Sequence, residues 1–526
     1  MTTPATLPKT RQRLILAVLV LSSLLIWMDN TILSTAFETL ADPVRGLGAD
    51  PAQLQWATGS YTLVFATLMF TAGAMGDRFG HRTVLATGMV VFGVAAVWGA
   101  YAGDADRLIA ARAVMGVGSA LIMPATMAIL TWTFTGPARA MAIGVSSASS
   151  GVGLAAGPLL AGLLLGHFWW GSVFLVNVPV VLVALAGIVL LVPNFRSPVR
   201  RRLDPAGLLL SITGLATLAY GLIRAGQVAD WARPDVWLPI TAGALLLAAF
   251  VVVELRIAQP SFDPRLLAQR MFGGGNAALG LLLFAMTAAG FYSAFYLQGA
   301  RGFSALAAGL IGAPAAFGVI IGGPLGPRLV RRWSLRVVTV PALIIAGLCM
   351  GAGEFFDLDT PVAWTMILAF AQGFSIGLVL GPVTAGLMNT LPLERAGAGS
   401  AVTNTVRQTG SVLGIAVGGT IMAIAYRRAI GGALTDLPAD VRDRAGVSAE
   451  QTRHFAAIVH RPDLVHAADT AFIHSMHVGV VWTMLIALTG AVVLAFALRP
   501  DRTPVPLEAE PLESAELGTG LAASKN

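Results

Sequence analysis

The chain is short of charge, of cysteine and of lysine. Asp, Glu, Lys and Arg make up only 12% of its 526 residues, against 56% hydrophobic residues and a mean hydropathy of +0.76. A water-soluble domain carries roughly 25% charged residues, so this little charge cannot cover a water-facing surface. The one cysteine, Cys349, lies inside an apolar run, which leaves no disulfide and no thiolate metal cluster. Only Lys9 and Lys525 are lysines, against 32 arginines. Neither follows a glycine, whereas a phosphate-cradling Walker loop needs Gly-Lys-Ser/Thr. That argues against direct ATP hydrolysis. No H-E-x-x-H occurs, and no G-x-S-x-G stands in a hydrolase context. The residues therefore predict no enzyme, no cofactor and no bound metal. The net charge of +7 is spread through short loops, which reads as topology rather than a nucleic-acid surface.

What the chain does have is apolar length. A bilayer-spanning helix needs about 20 apolar residues. Fourteen stretches qualify: 14–38, 53–74, 83–102, 107–134, 140–164, 170–192, 205–224, 235–254, 274–298, 305–326, 336–355, 361–389, 397–425 and 472–498. The first has no small-residue cleavage site and reads as a helix, not a removed signal. The expected fold class is all-α and integral to the membrane. Its expected units are a six-helix bundle (1–192), a linker with two extra helices (193–256) and a second six-helix bundle (257–498). An outer loop (427–471) would be polar and partly helical, and the Pro/Glu-rich tail (499–526) disordered. An even number of crossings puts both termini on one side. With that side cytoplasmic, its short segments hold 21 lysines and arginines, against five in the short outer loops. Positive charge stays inside, so cytoplasmic termini are expected.

One stretch organises the rest. Gly73 to Arg82 reads G-A-M-G-D-R-F-G-H-R, too polar to cross a bilayer but suited to a tight turn at its surface. It returns as Gly323 to Arg332, with Gly73, Gly76, Arg78 and Arg82 matching Gly323, Gly326, Arg328 and Arg332. Duplicated halves in a chain that crosses the membrane many times are a transporter signature.

An ionisable group at membrane depth is a functional hypothesis by default. Asp29 lies roughly 22 Å from the inner end of the first helix, past the midplane, and Arg112 roughly 8 Å below the outer end of the fourth. The depths overlap, so the two are expected to meet in the outer half of a central cavity. Asp29 then reads either as a proton carrier, tuned by Arg112, or as one partner of a permanent ion pair locking two helices. Arg407, about 15 Å into its helix, could hold an anionic group or bond backbone carbonyls. Asn30, Thr31, Trp56, Tyr61, Gln298, Asn404 and Gln408 are candidates to line a substrate cavity, or equally to bond between helices. Glu38 falls at the outer end of the first helix. Gly153, Gly157 and Gly162 around Pro158, and Gly410, Gly414 and Gly418, are spaced for close helix packing. They are read as a seam between the halves. Five of seven histidines fall in 454–477, including His474 and His477, and read as a solvated outer loop.

These residues together resemble the major facilitator superfamily, specifically its 14-helix drug:proton antiporters. Gly73, Asp77, Arg78, Gly80 and Arg82 match the cytoplasmic motif after helix 2, with Met75 and His81 as departures. Arg112 to Pro124 resembles the helix-4 motif, whose arginine is implicated in proton transfer. Gly153 to Gly162 resembles the helix-5 motif associated with export. Asp29-Asn30-Thr31 resembles the helix-1 D-x-T motif, but Ser34 and Glu38 stand where the family has Asn and Pro. Phe295 to Gly309 and Val406 to Ser411 are similar to family segments too; the W-R-W before helix 6 is replaced by Trp169-Trp170-Gly171. The resemblance implies proton-coupled efflux of drugs, antibiotics or other amphiphilic molecules, with small-molecule substrate, protons and the bilayer as partners and no nucleic acid. It also implies a salt-bridge latch at Asp77 and Arg78. A narrow natural-product exporter, a proton-linked uptake facilitator and a non-transporting sensor are the alternatives.

Overall fold

A computed structural model describes residues 8–134, 136–194, 204–257, 263–391, 396–438, 441–442 and 445–498, without the side chains of some residues inside helices. The expected linker arginines Arg200–Arg202 and the tail 499–526 lie outside the described residues. Fourteen long helices run along the described chain: α1 (Lys9–Thr35), α2 (Pro51–Phe79), α3 (His81–Ala100), α4 (Ala105–Thr133), α5 (Gly136–His167), α6 (Asn177–Leu191), α7 (Pro205–Val228), α8 (Pro234–Arg256), α9 (Arg270–Ala294), α10 (Ala305–Arg332), α11 (Leu335–Gly351), α12 (Val362–Asn389), α13 (Ala396–Ile430) and α14 (Pro462–Ala497). Over the described residues, all but α2 and α5 are long and apolar enough to cross a membrane.

Local chemistry sets the ends. The Asp50 side chain accepts from Gln53 N, the Gln53 side chain accepts from Asp50 N, and Pro51 opens the first turn, so α2 starts in a complete capping box. Asp104 and Asp204 cap α4 and α7 in the same sense. The polar stretch at Gly73 is shorter as a turn than its sequence suggested. Gly73 to Phe79 are the last turns of α2, and Gly80 alone, at φ 99°, breaks the helix. A residue with a Cβ is strained at that φ, and glycine is not. The echo differs: α10 runs to Arg332, and the chain turns at Trp333 and Ser334. α13 continues to Ile430 and α14 begins at Pro462, with a short helix at Ala449–Ile458 between them.

The duplication is visible in the packing. Within the first six helices α1 packs on α5 and α6, α4 on α2 and α3, and α3 on α6. Within the last six α9 packs on α13 and α14, α12 on α10 and α11, and α11 on α14. Each pair of one set has its counterpart in the other. The two bundles meet along α5·α10 and α2·α13, pairs that exchange under the same correspondence. The extra helix α7 packs on α8 and bridges α2 and α13. A small apolar cluster of Ala52, Leu63, Leu215, Ala219, Ile223, Val412 and Ala416 holds that junction. Large side chains such as Leu190, Leu245 and Phe496 are exposed, as a lipid solvent permits.

The α9·α13 seam is close because Gly410 lies against Gly280; a Cβ there would reach the Gly280 carbonyl and stand 3.1 Å from its Cα. Gly410→Val is expected to cost about 1–3 kcal/mol, read as a lower thermal-unfolding midpoint in detergent. Gly290→Ala, where an added Cβ meets nothing within 4 Å, is the control expected to leave the midpoint unchanged or slightly raised.

Candidate functional site

Asp29 and Arg112 do meet, but inside the first bundle rather than in an open cavity. Arg112 Nη1 lies 2.5 Å from Asp29 Oδ2, and both side chains are 0% exposed. Asn177, the first residue of α6, donates from Nδ2 to the other carboxylate oxygen at 3.2 Å. Arg112 Nε donates to the Ala57 carbonyl of α2 at 3.2 Å. The guanidinium carbon sits 4.3 Å from the Tyr61 ring centroid, and the Tyr61 hydroxyl is 2.8 Å from Ser119 Oγ. Helices α1, α2, α4 and α6 therefore converge on one charge pair. Removing both ions from water is costly, and the attraction offsets this only when the remaining donors and acceptors are also engaged. Asn177, the Ala57 carbonyl and the Tyr61 π face supply most of that engagement. Arg112 Nη2 and Asn177 Oδ1 have no hydrogen-bond partner among the described residues, so the network holds spare capacity.

Asn177 is missing from the residues singled out by sequence. Its signal was a lone amide opening an apolar run. The Ala57 carbonyl could not have been read at all, since every residue has one. In this conformation the pair is closed off by its own bundle, so an amphiphilic compound has no direct route to Asp29.

The other candidates fall in different places. Tyr61 is fully buried under Arg112. Thr31 turns its hydroxyl back to the Met28 carbonyl at 3.2 Å, and Asn30 is half-buried beside it. Trp56 lines a narrow crevice with Gln55, Gly59, Ile223 and Ile415, where α2, α7 and α13 meet. Gln298 is buried in the π-helical segment Phe295–Ala300 that continues α9. Asn404, Arg407 and Gln408 lie half-buried along α13. Arg407 makes no hydrogen bond or ion pair among the described residues.

The glycine series divide. Gly153 and Gly157 lie against α1 at Trp27, Met28 and Thr31, and Gly410, Gly414 and Gly418 against α9, so both packings are within one bundle. Only Gly162 works between bundles, against Leu306 of α10, and Gly309 answers it beside Pro158. The seam expected from both series is thus carried by the end of α5 alone. The residue-level contacts described between the bundles (Gly162 with Leu306, Gln55 with Gly419, Phe37 with Phe291) lie away from the chain termini. On the terminal side, a Cβ added at Gly73 or Gly323 would meet nothing within 4 Å.

Asp77, Arg78 and Arg82 each have a partner close by in sequence or within the first bundle. Asp77 Oδ1 is 3.4 Å from His81 Nε2, across the break at Gly80. Arg78 lies over Phe79 at 5.5 Å, and Arg82 donates to the Val189 carbonyl of α6 at 2.5 Å.

The profile of the Major Facilitator Superfamily matches residues 19–415. The chain belongs to the major facilitator superfamily. It is similar to the puromycin resistance protein pur8 of Streptomyces alboniger, 34% identical over 77% of this chain and 81% of that one. It is 36% identical to the cephamycin export protein CmcT of Amycolatopsis lactamdurans, over 75% and 81% of the two chains. It is 31% identical to the multidrug efflux pump LfrA of Mycolicibacterium smegmatis, over 93% and 97%. Among solved structures, an inward-facing bacterial homologue of the human lysosomal transporter Spinster overlays with a TM-score of 0.63 at 17% identity, covering 94% of this chain and 100% of that one. That likeness establishes the fold. As a superfamily member the chain is a multi-pass cell-membrane transporter of small molecules, not an enzyme.

The ion pair gives a stability test. Asp29→Ala or Arg112→Met alone strands one buried charge and is expected to cost about 3–5 kcal/mol. The double variant is expected to cost no more than the worse single one. Thermal unfolding of all four proteins checks this cycle; simple addition of the two costs would mean that the charges do not interact.

Proposed function

We propose that this transporter exports drugs, antibiotics or other amphiphilic small molecules in exchange for protons. One observation carries the reading. A carboxylate and a guanidinium from two helices of one bundle, both wholly buried, form a pair that a single proton can break. The names of the relatives, resistance and export proteins for puromycin, cephamycin and multiple drugs, support export. A proton on Asp29 removes the charge that holds Arg112 and leaves a donor where an acceptor stood. Arg112 is then free to turn toward other acceptors, and α1 can shift relative to α4. Proton binding thereby acts on substrate through helix packing, with no need for the two to touch. Arg407, Asn404 and Gln408 on α13, with Asn30 and Thr31 on α1, supply polar contacts for a compound between the bundles.

The same reading has all fourteen helices crossing the membrane, with both termini in the cytoplasm. The bundles at 1–192 and 257–498 are the rocking units, and 193–256 is a separate insert. Seam contacts away from the termini support a state open to the cytoplasm, with Gly73, Asp77, Arg78, Gly80 and Arg82 at its separated edge.

The test uses everted vesicles energised by respiration. Addition of a transported dye or antibiotic is expected to collapse part of the pH gradient with the wild-type protein and not with Asp29→Asn. Uphill, proton-coupled export by Asp29→Asn would remove Asp29 from the mechanism. Loss of preloaded substrate from the vesicles together with protons, the inside-out equivalent of uptake by the cell, would reverse the assigned direction.

A further inference from the structure

Away from the termini, α1 passes at Ala36 into a short helix, Phe37–Ala41, that reaches across to the second bundle. Phe37 packs on Phe291 and Phe295, with ring centroids 5.5 and 6.1 Å apart. The next residue is Glu38, at the position where the helix-1 motif has proline. Its Oε2 is buried and has no hydrogen-bond partner among the described residues.

Glu38 faces a crowded spot. A Cβ built on Gly299 would stand 3.2 Å from Glu38 Oε2, 3.3 Å from Glu450 Oε1 and 3.3 Å from Arg453 Nη1. The missing side chain at Gly299 is what lets the three approach. Arg453, on the short helix Ala449–Ile458, is already committed: Nη2 is 2.7 Å from Asp469 of α14, and Nη1 is 3.6 Å from Glu450. Asp42 closes the group from Glu38's own segment, and Phe295–Ala300 brings no charge of its own. Three carboxylates, Glu38, Glu450 and Asp469, thus share one guanidinium across a seam between the bundles. Burial, then the charge of Glu450, pushes the Glu38 carboxyl up to about 7, against the pull of Arg453.

We propose that Glu38 is a second proton-binding carboxylate of the transporter, a latch rather than a carrier. Uncharged, it lets the seam close over Gly299 against Glu450. Ionised, it repels Glu450 and drives the seam apart. Its proton comes from the far side and returns there, so it adds nothing to the number of protons transported. The sign follows from linkage. The closed state binds the proton more tightly than a solvated glutamate at 4.5, so closure is fully favoured below that value. As pH rises from there to about 7 the closed-to-open ratio falls about tenfold per pH unit, and then levels off. An acidic exterior would hold the far side shut and return the transporter to its inward-open state. This rests on the two-state transport reading above but not on Asp29.

The measurement is a spin-label distance between Val44→Cys and Phe355→Cys in a Cys349→Ser background. Both positions are strongly exposed, at 86% and 84%, and lie on opposite bundles. Between about pH 5 and about pH 8, the otherwise unaltered protein is expected to gain a longer-distance population. Glu38→Gln is expected to stay short throughout. Glu450→Gln, which leaves Glu38 free to pair with Arg453, is expected to stay short as well. A wild-type protein without this pH response, or a Glu38→Gln that opens with pH as the wild type does, overturns the latch. A response kept in Asp29→Asn supports it even if the vesicle assay finds no antiport. A response lost in Asp29→Asn and kept in Glu38→Gln assigns the titration to the first bundle and overturns the latch, leaving antiport standing.

Discussion

A carboxylate and a guanidinium held 2.5 Å apart, out of reach of water, constrain everything around them. Each ion alone would be strongly unfavourable at that depth, so neither helix can move without the other unless the charge changes. The surrounding groups answer to the same constraint. Asn177 fixes the second carboxylate oxygen, the Ala57 carbonyl takes the Nε proton, and Tyr61 lies flat beneath the guanidinium. Four helices are tied to one electrostatic event. That ties the first bundle together at one buried point.

The second bundle repeats the helix arrangement, but among the described residues no ion pair joins two of its long helices; its ion pairs run from the short helix Ala449–Ile458. Its counterpart of α1 is α9, whose contacts with α13 run through Gly410, Gly414 and Gly418, against Gly280, Phe284 and Ala288. One bundle is organised by a titratable pair and the other by close, apolar backbone packing. The bundles touch through α5·α10 and α2·α13, and α7 straddles the second of these seams. Any rocking must therefore slide α7 against α2 or α13, where Thr420 Oγ1 donates to the Leu222 carbonyl at 2.7 Å.

Much of this was legible in the chain itself. Apolar runs of spanning length announce an all-helical membrane fold, because a helix satisfies its own backbone in lipid. The repeat at Gly73 and Gly323 announced duplicated packing. Asp29 and Arg112 stood out because charge at membrane depth needs a reason. The glycine spacings announced close packing but not its partner: Gly162 faces the other bundle, and Gly414 with the same spacing faces its own. Asp77 and Arg78 stood out as members of a motif, but the neighbour of Asp77, His81, came only from the fold.

The sequence by itself determined the solvent, the helices, the duplication and which charges would be costly, since each depends on composition or local spacing. Tertiary structure decided which charges share a site and whether that site is open. Asn177 lies 148 residues from Asp29, and Glu450 lies beyond twelve intervening long helices from Glu38. No local pattern encodes such a meeting. It follows from how the bundles pack, and packing is set by the summed shape of many side chains rather than by any motif.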